Sequence, residues 1–180
     1  MIVAQFAQNK PLPKNRLSCV KLVFIALLAA LPAVLLWPVD TLTLRDDEGR
    51  VVFREAMPLG SGFATRYIHS LGLSPVEDEY TVQDGLIRQW RSRIQSHNAG
   101  MSVQALDRGR VYMDPPWVVI EGAIISLESF TLRVGNENFG RNHLRIGKSP
   151  WQPLYRTIPN TRLHFAASRS ALYKLWLLSP

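Results

Sequence analysis

The dipeptide Asp84-Gly85 separates two segments, 79–82 and 86–94, whose apolar and polar residues alternate. Asp-Gly is typical of a two-residue type I′ turn, because both central residues of that turn need positive φ. Alternation with a period of two predicts a strand with one buried and one solvated face. The stretch therefore predicts a β-hairpin, with Trp90 on its buried face.

The same alternation recurs along the chain, and glycine and proline turn signals interrupt it at short intervals without a long helical period. Many short strands separated by such turns favour an all-β fold. We therefore expect an antiparallel sandwich or a partly open barrel. The further predicted strands are 41–44, 51–53, 63–69, 110–112, 117–120, 130–134 and 143–146.

The N-terminal part has a different pattern. Residues 22–39 are 18 residues without a charge, and four lysines and arginines but no acid occur in residues 1–21. As a helix, 18 residues span about 27 Å, close to the thickness of a bilayer's hydrocarbon core. The positive-inside rule then places residues 1–21 in the cytoplasm and everything after Asp40 in the periplasm of a bacterium. We expect a single-pass signal anchor in the inner membrane.

Two alternatives to a retained anchor stay open. A signal peptide cleaved near Ala33 or Pro38 would release the rest of the chain, although no Ala-x-Ala pair lies between Ala26 and Asp40. A buried core helix is the second alternative. The sequence thus predicts a cytoplasmic segment, a transmembrane helix, an exported β domain and a basic C-terminal tail, bounded as 1–21, 22–39, 40–155 and 156–180.

The net charge of +7 has two sources. The cytoplasmic segment supplies four positive charges, and no acid follows Glu137 in the C-terminal third. Within the tail, residues 166–178 are predicted as a short helix. It would pack on the sheet or lie on an anionic membrane surface, or the tail would be frayed. A periplasmic location excludes nucleic acid as a partner.

Chemically capable side chains are densest between Phe63 and Tyr80. His69, Ser70 and Asp78 suggest a base, a nucleophile and an orienting acid, the set used by hydrolases. Neighbouring residues on a strand point to opposite faces, however, which opposes a bond between His69 and Ser70. A buried hydrogen bond between His69 and Asp78 across the turn is the structural interpretation.

A metal site is a further hypothesis. His69, His97, His143 and Asp78 could converge on an ion such as zinc, since imidazole and carboxylate are suitable ligands. No closely spaced ligand pair supports the idea, and we expect no cofactor.

A loop provides the last candidates, Gln95, Ser96 and Gly100. A glycine-bearing loop offers backbone N–H groups and the serine hydroxyl to a ligand or partner protein. A tight turn that needs Gly100 at positive φ explains the same residues equally well.

These elements together resemble a bacterial family, the domain of unknown function eighteen-fifty. The resemblance spans about residues 41–154 and lies in the order and spacing of four short motifs. They are His69-Ser70 after an aromatic strand, Ser74-Pro75-Val76 followed by Asp78 and Tyr80, Gln95-Ser96 with Ala99-Gly100, and His143-Leu144.

The resemblance implies a small, mostly β, exported domain without an established activity, so it assigns no catalytic residue. It also implies a gene neighbourhood of tripartite ATP-independent periplasmic (TRAP) transporters of the TAXI subfamily. We therefore expect a non-enzymatic, membrane-anchored periplasmic module that contacts the bilayer and assists such a permease or its solute-binding protein. The alternative is a hydrolase or metal-dependent ligand-binding protein that uses His69, Ser70 and Asp78.

Overall fold

The structure, a computed structural model, describes residues 14–70, 72–95 and 109–177. The chain divides into two compact units at Trp37. Helix α1, Lys14–Leu35, lies in the first unit. In the described part of the chain, no helix has the length and apolar character needed to cross a membrane.

The helix and the predicted anchor 22–39 have different bounds. Helix α1 begins eight residues earlier, at Lys14, and ends at Leu35, while the last two residues of the predicted segment belong to strand β1, Pro38–Arg45. The residue before a proline is disfavoured in helical conformation, so Pro38 ends the helical run. The apolar character of 22–39 therefore covers parts of two different elements.

The second unit is built from antiparallel strands. Its helical elements are short: a 3-10 turn at Pro58–Gly60, α2 at Leu154–Thr157 and α3 at Leu172–Leu177. After β1, the strands in chain order are β2 Val51–Ala56, β3 Gly62–Ile68, β4 Pro75–Gln83, β5 Leu86–Ile94, β6 Arg110–Asp114, β7 Trp117–Leu127, β8 Ser129–Arg133, β9 His143–Ile146, β10 Gln152–Pro153 and β11 Arg162–Ala171.

These strands form two sheets. The smaller sheet has the order β2-β1-β11-β8, and the larger has the order β10-β9-β3-β4-β5-β7-β6. Buried side chains of both sheets share one hydrophobic core. Of the two predicted all-β architectures, the antiparallel sandwich is confirmed.

Stacked aromatic rings occupy the centre of this core. Phe63 stacks on Tyr80 at a centroid distance of 4.7 Å within the larger sheet, and Phe130 stacks on Phe165 at 4.6 Å within the smaller one. Phe63 and Phe165 join the two layers at 5.6 Å. Directly opposed aromatic pairs stabilise a sheet beyond the area they bury.

The β4–β5 hairpin has the predicted turn. Asp84 and Gly85 have φ values of 57° and 74°, as a type I′ turn requires. The prediction for Trp90 is wrong, because Glu79 pairs with Arg91 while Tyr80 pairs with Gln89. Trp90 is thus an extra residue that shifts the alternation. Such a bulge moves every later side chain of the strand to the other face.

The C-terminal prediction needs a larger correction. Residues 166–171 are not helical, because they belong to β11, which pairs with β1 on one side and β8 on the other. Leu163 and Phe165 of this strand are fully buried. Within the predicted helix 166–178, only α3, Leu172–Leu177, is helical. The predicted tail therefore provides a central strand of the smaller sheet.

The β4–β5 turn closes one end of the sandwich. The Asp40 carboxylate accepts hydrogen bonds from the Gly85 N–H at 2.8 Å and the Asp84 N–H at 3.1 Å. Arg169 donates to the Asp84 carboxylate at 2.6 Å. Because Asp40 and Arg169 belong to the smaller sheet, these bonds connect the two layers at this end.

Candidate functional site

The opposite end of the sandwich is open. There a cavity of about 680 Å³ lies between the end of β3 and the end of β8, and a second cavity of about 270 Å³ adjoins it. We call the two together the end cleft. Its described lining consists of residues 67–70, Leu73, 132–136, 138–142 and Asn160.

The loop between β8 and β9 forms one wall of the end cleft. Asn142 holds the loop closed, since its side-chain oxygen accepts a hydrogen bond from the Gly135 N–H at 2.7 Å. The Gly140 carbonyl accepts from the Ile68 N–H at 2.8 Å, which fixes the loop to the end of β3. A Cβ at Gly135 would overlap the Phe139 carbonyl oxygen. The sequence thus specifies a compact loop.

Two asparagines stiffen the same wall. The Asn136 side-chain oxygen accepts from the backbone N–H groups of Asn138 and Phe139 at 2.9 and 3.1 Å. The Asn136 amide group donates to the Asn160 side-chain oxygen at 3.0 Å. These bonds leave the ring of Phe139 61% exposed beside the cavity. An exposed aromatic ring on a well-bonded loop is a preorganised contact surface for a ligand.

His69 and Ser70, predicted as candidates, both line the end cleft. His69 belongs to the β3–β4 turn, where its Nδ1 accepts a hydrogen bond from the Gly72 N–H at 3.2 Å and its backbone N–H donates to the Ser74 carbonyl. Ser70 is exposed at the mouth. Turn residues at the rim of a rigid sheet are well placed for binding.

Asp78 lies further inside, on the face of β4 that points to the core. The carboxylate accepts hydrogen bonds from Ser92 at 2.6 Å and Gln89 at 2.9 Å. Burial raises the pKa of Asp78, and the two hydrogen bonds offset this only in part. Among the described residues, no cation pairs with this carboxylate. Such a group is costly to ionise.

Tyr67 connects this polar interior with the end cleft. Burial, together with the nearby charge of Asp78, raises the pKa of Tyr67 to about 12. The phenol therefore keeps its proton at any physiological pH, and Tyr67 is one of the residues that line the cavity.

The predicted hydrogen bond between His69 and Asp78 is wrong. Asp78 pairs across the sheet with Thr65, which precedes His69 by four residues on β3. Four residues of strand span about 13 Å, far beyond hydrogen-bonding distance. The register that brings the strands together therefore separates the two side chains, and Asp78 is bonded to β5 instead.

His143 lies away from the end cleft. It pairs with Arg66 across the sheet, and its ring contacts the edge of Tyr155 at a centroid distance of 5.2 Å. Burial lowers the pKa of His143, and the positive charges of Arg66 and Arg156 lower it further. A neutral imidazole packed against an aromatic ring is a structural arrangement.

The remaining candidates are placed only in part. Gln95 follows β5, where its backbone N–H donates to the Pro75 carbonyl at 3.4 Å, and it does not line the end cleft. Ser96, His97 and Gly100 lie outside the described residues. Over the described ranges, no group of three or more His, Cys, Asp or Glu side chains could hold a metal ion.

The outer face of the larger sheet carries a different chemistry, a ladder of arginine and glutamate. Arg66 donates to the buried Glu77 carboxylate at 2.7 Å, and Arg91 lies 3.5 Å from Glu79. Arg66 also stacks on the ring of Trp151 at 4.3 Å. Because these charges neutralise one another across the strands, the ladder stabilises the sheet through cross-strand pairs.

Sequence reasoning missed most of the end cleft. The sequence pattern predicts Tyr67 only as a residue of strand 63–69, and it assigns no role to Arg133, Phe139 or Asn160. The segment 135–140 lies between the predicted strands 130–134 and 143–146, and it has three polar residues between two glycines. The density of asparagine and glycine there was the available signal for a loop fixed by its own side chains.

The fold and the site together define a two-sheet antiparallel sandwich with a ligand-sized cleft at one end. Residues 63–152, half of the chain, match the family described as Domain of unknown function (DUF1850), and the chain belongs to that family. No curated protein and no solved structure matches the chain. The matched region contains β8 and the strands of the larger sheet except Gly62 and Pro153, whereas β1, β2 and β11 lie outside it.

Proposed function

We propose that this protein is a membrane-anchored periplasmic binding module that assists a solute transporter. The end cleft is the observation that carries the binding role. Its volume of about 680 Å³ is within the range of small-molecule sites, and its walls are fixed by backbone hydrogen bonds.

A binding role fits the site better than catalysis. Asp78, the acid that a triad would need, is bonded to Ser92 and Gln89 on the neighbouring strand. Nucleophilic catalysis needs a base held by an orienting group within hydrogen-bond reach. His69 and Ser70 therefore serve here as contact residues at the cleft's rim.

The anchor is proposed from the sequence. Four basic residues precede 18 uncharged ones, which favours a cytoplasmic N-terminus and an exported domain. In addition, apolar side chains along α1 such as Leu22, Phe24 and Leu28 are more than half exposed. Exposed apolar surface of this extent favours contact with a lipid surface or with a partner protein.

The proposed partner is a permease or solute-binding protein of the TAXI type of TRAP transporter. Support for this partner is the gene neighbourhood that the family resemblance implies. An accessory domain fixed beside a permease would bind the transported solute or a segment of the transporter in its cleft.

Co-purification from gently solubilised bacterial membranes tests the partner. A tag at Pro180 should recover permease subunits with the full-length chain. Recovery should fall in Phe139→Ala, which removes the exposed ring beside the cleft, and should persist in the matched control Leu59→Ala. Leu59 is fully exposed and does not line the cleft.

Topology has its own test. Alkaline phosphatase fused after Pro180 should be active, because this enzyme folds only outside the cytoplasm, whereas a fused green fluorescent protein should be dark on Sec export. The reverse pattern would overturn the exported location and the transporter role together. An active phosphatase without permease recovery would overturn the partner alone.

A further inference from the structure

Strand β6, Arg110–Asp114, is at one edge of the larger sheet among the strands that the structure describes. It pairs with β7 on one side, and no described strand lies on its other side. An unpaired edge is a template for a further strand. The opposite edge of the sheet, β10, is less suited to this, because it has two residues and one of them is a proline, which has no N–H.

The backbone groups on the open side of β6 can be assigned from its pairing with β7. Asp114 pairs with Trp117 across the turn 115–116. Residues that flank a two-residue turn exchange hydrogen bonds, and hydrogen-bonded and non-hydrogen-bonded pairs then alternate along an antiparallel ladder. The pairs of Val111 and Met113 with β7 are therefore non-hydrogen-bonded. Their N–H and C=O groups point to the open side.

Most side chains of β6 are exposed along the same edge. Val111 and Met113, which are 43% and 63% exposed, share one face of the strand. Arg110, Tyr112 and Asp114 share the other face, because successive side chains alternate. The strand thus has an apolar face, and a polar face with a cation at one end and an anion at the other.

This pattern is self-complementary. When a second copy of β6 lies antiparallel to the first with Tyr112 on the two-fold axis, Val111 lies opposite the second copy's Met113, and their outward backbone groups exchange hydrogen bonds. The same register places Arg110 opposite the second copy's Asp114. Opposite charges at facing positions stabilise a strand pair. A two-fold interface requires this kind of match of a surface with itself.

Both charged groups have capacity for this contact. Asp114 is exposed and forms no ion pair with any described residue. The Arg110 side chain is 71% exposed, and it donates through Nη2 to the Glu121 carboxylate at 3.1 Å, which leaves further N–H donors of the guanidinium available. Tyr112 donates to the same carboxylate at 2.9 Å. Arg110 and Tyr112 are therefore held in position within one chain, which reduces the entropic cost of association.

We propose that β6 pairs with β6 of a second copy of this chain, so that the two larger sheets form one continuous antiparallel sheet. Tyr112 lies on the two-fold axis, and Arg110 and Asp114 of the two copies form two symmetric ion pairs. The described lining of the end cleft includes no residue of β6, so this inference is separate from the proposed binding role.

Disulfide cross-linking of the full-length chain in mild detergent tests the register, in a Cys19→Ser background. Tyr112→Cys should form a covalent dimer rapidly under mild oxidation, because facing residues of a non-hydrogen-bonded pair have Cα atoms about 4.5 Å apart. Arg110→Cys should not cross-link with itself, since its two copies lie about 14 Å apart, but it should cross-link with Asp114→Cys. Leu59→Cys, at a fully exposed position outside β6, measures random collision.

Sedimentation equilibrium of the full-length chain in density-matched detergent tests the ion pairs. Asp114→Arg should weaken self-association by about tenfold, because it places like charges opposite each other at two positions of the dimer. Adding Arg110→Asp to this variant should restore self-association. Glu55→Arg makes the same charge change at an exposed position outside β6 and should have no effect. Melting temperatures verify that each variant is folded.

Cross-linking of Tyr112→Cys no faster than that of Leu59→Cys would overturn the inference, and so would a chain that stays monomeric at every concentration. Arg110→Cys that cross-links with itself in preference to Asp114→Cys would contradict the register. Self-association that Asp114→Arg leaves unchanged would belong to another surface and would overturn the inference as well. Permease recovery is measured independently and keeps its own outcome.

Discussion

The two ends of the sandwich are built from similar strands but differ in how they are closed. At one end Asp40 accepts hydrogen bonds from the β4–β5 turn and Arg169 pairs with Asp84, so the sheets are connected by short polar contacts. At the other end the loop between β8 and β9 bonds to itself and to β3, and a cavity of about 680 Å³ remains. At the closed end, charged side chains bond directly across the two layers, whereas at the open end the loop's polar groups bond to one another, to β3 and to Asn160.

Both ends depend on the hydrophobic core between them. Truncating a core side chain should therefore lower the free energy of unfolding more than any other change considered. Phe165→Ala should lower the free energy of unfolding by about 3–5 kcal/mol, because the ring is fully buried in a stack of aromatic side chains. Guanidinium denaturation of the full chain, followed by tryptophan fluorescence, measures the loss. A loss below about 1 kcal/mol would mean that β11 is not part of the core.

Phe165 also shows where sequence reasoning failed. Residues 166–171 contain three alanines, which favour a helix locally. The strand forms because Leu163, Phe165 and Ala167 face the core while β1 and β8 pair on both sides. Those partners are distant in sequence, so no local pattern reveals them. Tertiary pairing has overridden propensity.

The hairpin at Asp84-Gly85 was predictable because the turn and its strands are contiguous and the turn type restricts the residues. The end cleft was predictable only through His69 and Ser70, which lie on a recognisable strand end. Tyr67 and Phe139 meet there across more than seventy residues. The bulge at Trp90 likewise results from pairing with a neighbouring strand.

Removing the Asp40 carboxylate, which closes one end of the sandwich, should have the second largest effect on stability. Asp40→Ala should cost about 1–2 kcal/mol, because two turn N–H groups lose a charged acceptor and reach water only in part. Hydrogen exchange should accelerate at Asp84 and Gly85 and stay unchanged at Ile68, which bonds to the loop of the open end. The exposed acid Glu55, changed to alanine, is the control. Equal acceleration at both ends would contradict the independence of the two closures.

The third prediction concerns the pH dependence of stability, where the expected effect is smaller. Burial raises the pKa of Asp78 above its ordinary value of 3.8, so the folded state favours the protonated acid. Its stabilising contribution is then complete below the unfolded pKa and is lost as pH rises through the folded pKa. Asp78→Asn imitates the protonated form and keeps an acceptor for Ser92 and Gln89. The variant should be at least as stable as the wild type at neutral pH.

Asp46 provides a matched control, because its pKa is shifted in the opposite direction. Hydrogen bonding to Arg50 lowers the pKa of Asp46, so its contribution is present above the unfolded pKa and is lost as pH falls through the folded pKa. Melting curves between pH 3 and 7 should therefore diverge from wild type in opposite directions for Asp78→Asn and Asp46→Asn. Parallel curves would show that Asp78 is solvated in the native state.

The smallest effect is expected at the open end itself. Phe139→Ala should change the free energy of unfolding by no more than about 0.5 kcal/mol, because 61% of the side chain is exposed and the loop is held by Asn136 and Asn142. The comparison with Phe165→Ala uses the same substitution at a fully buried ring, and Leu59→Ala is the exposed control. A loss at Phe139 that approaches the loss at Phe165 would mean that the ring supports the fold. The open end would then be a structural closure like the other, and its exposed aromatic ring would no longer argue for a ligand.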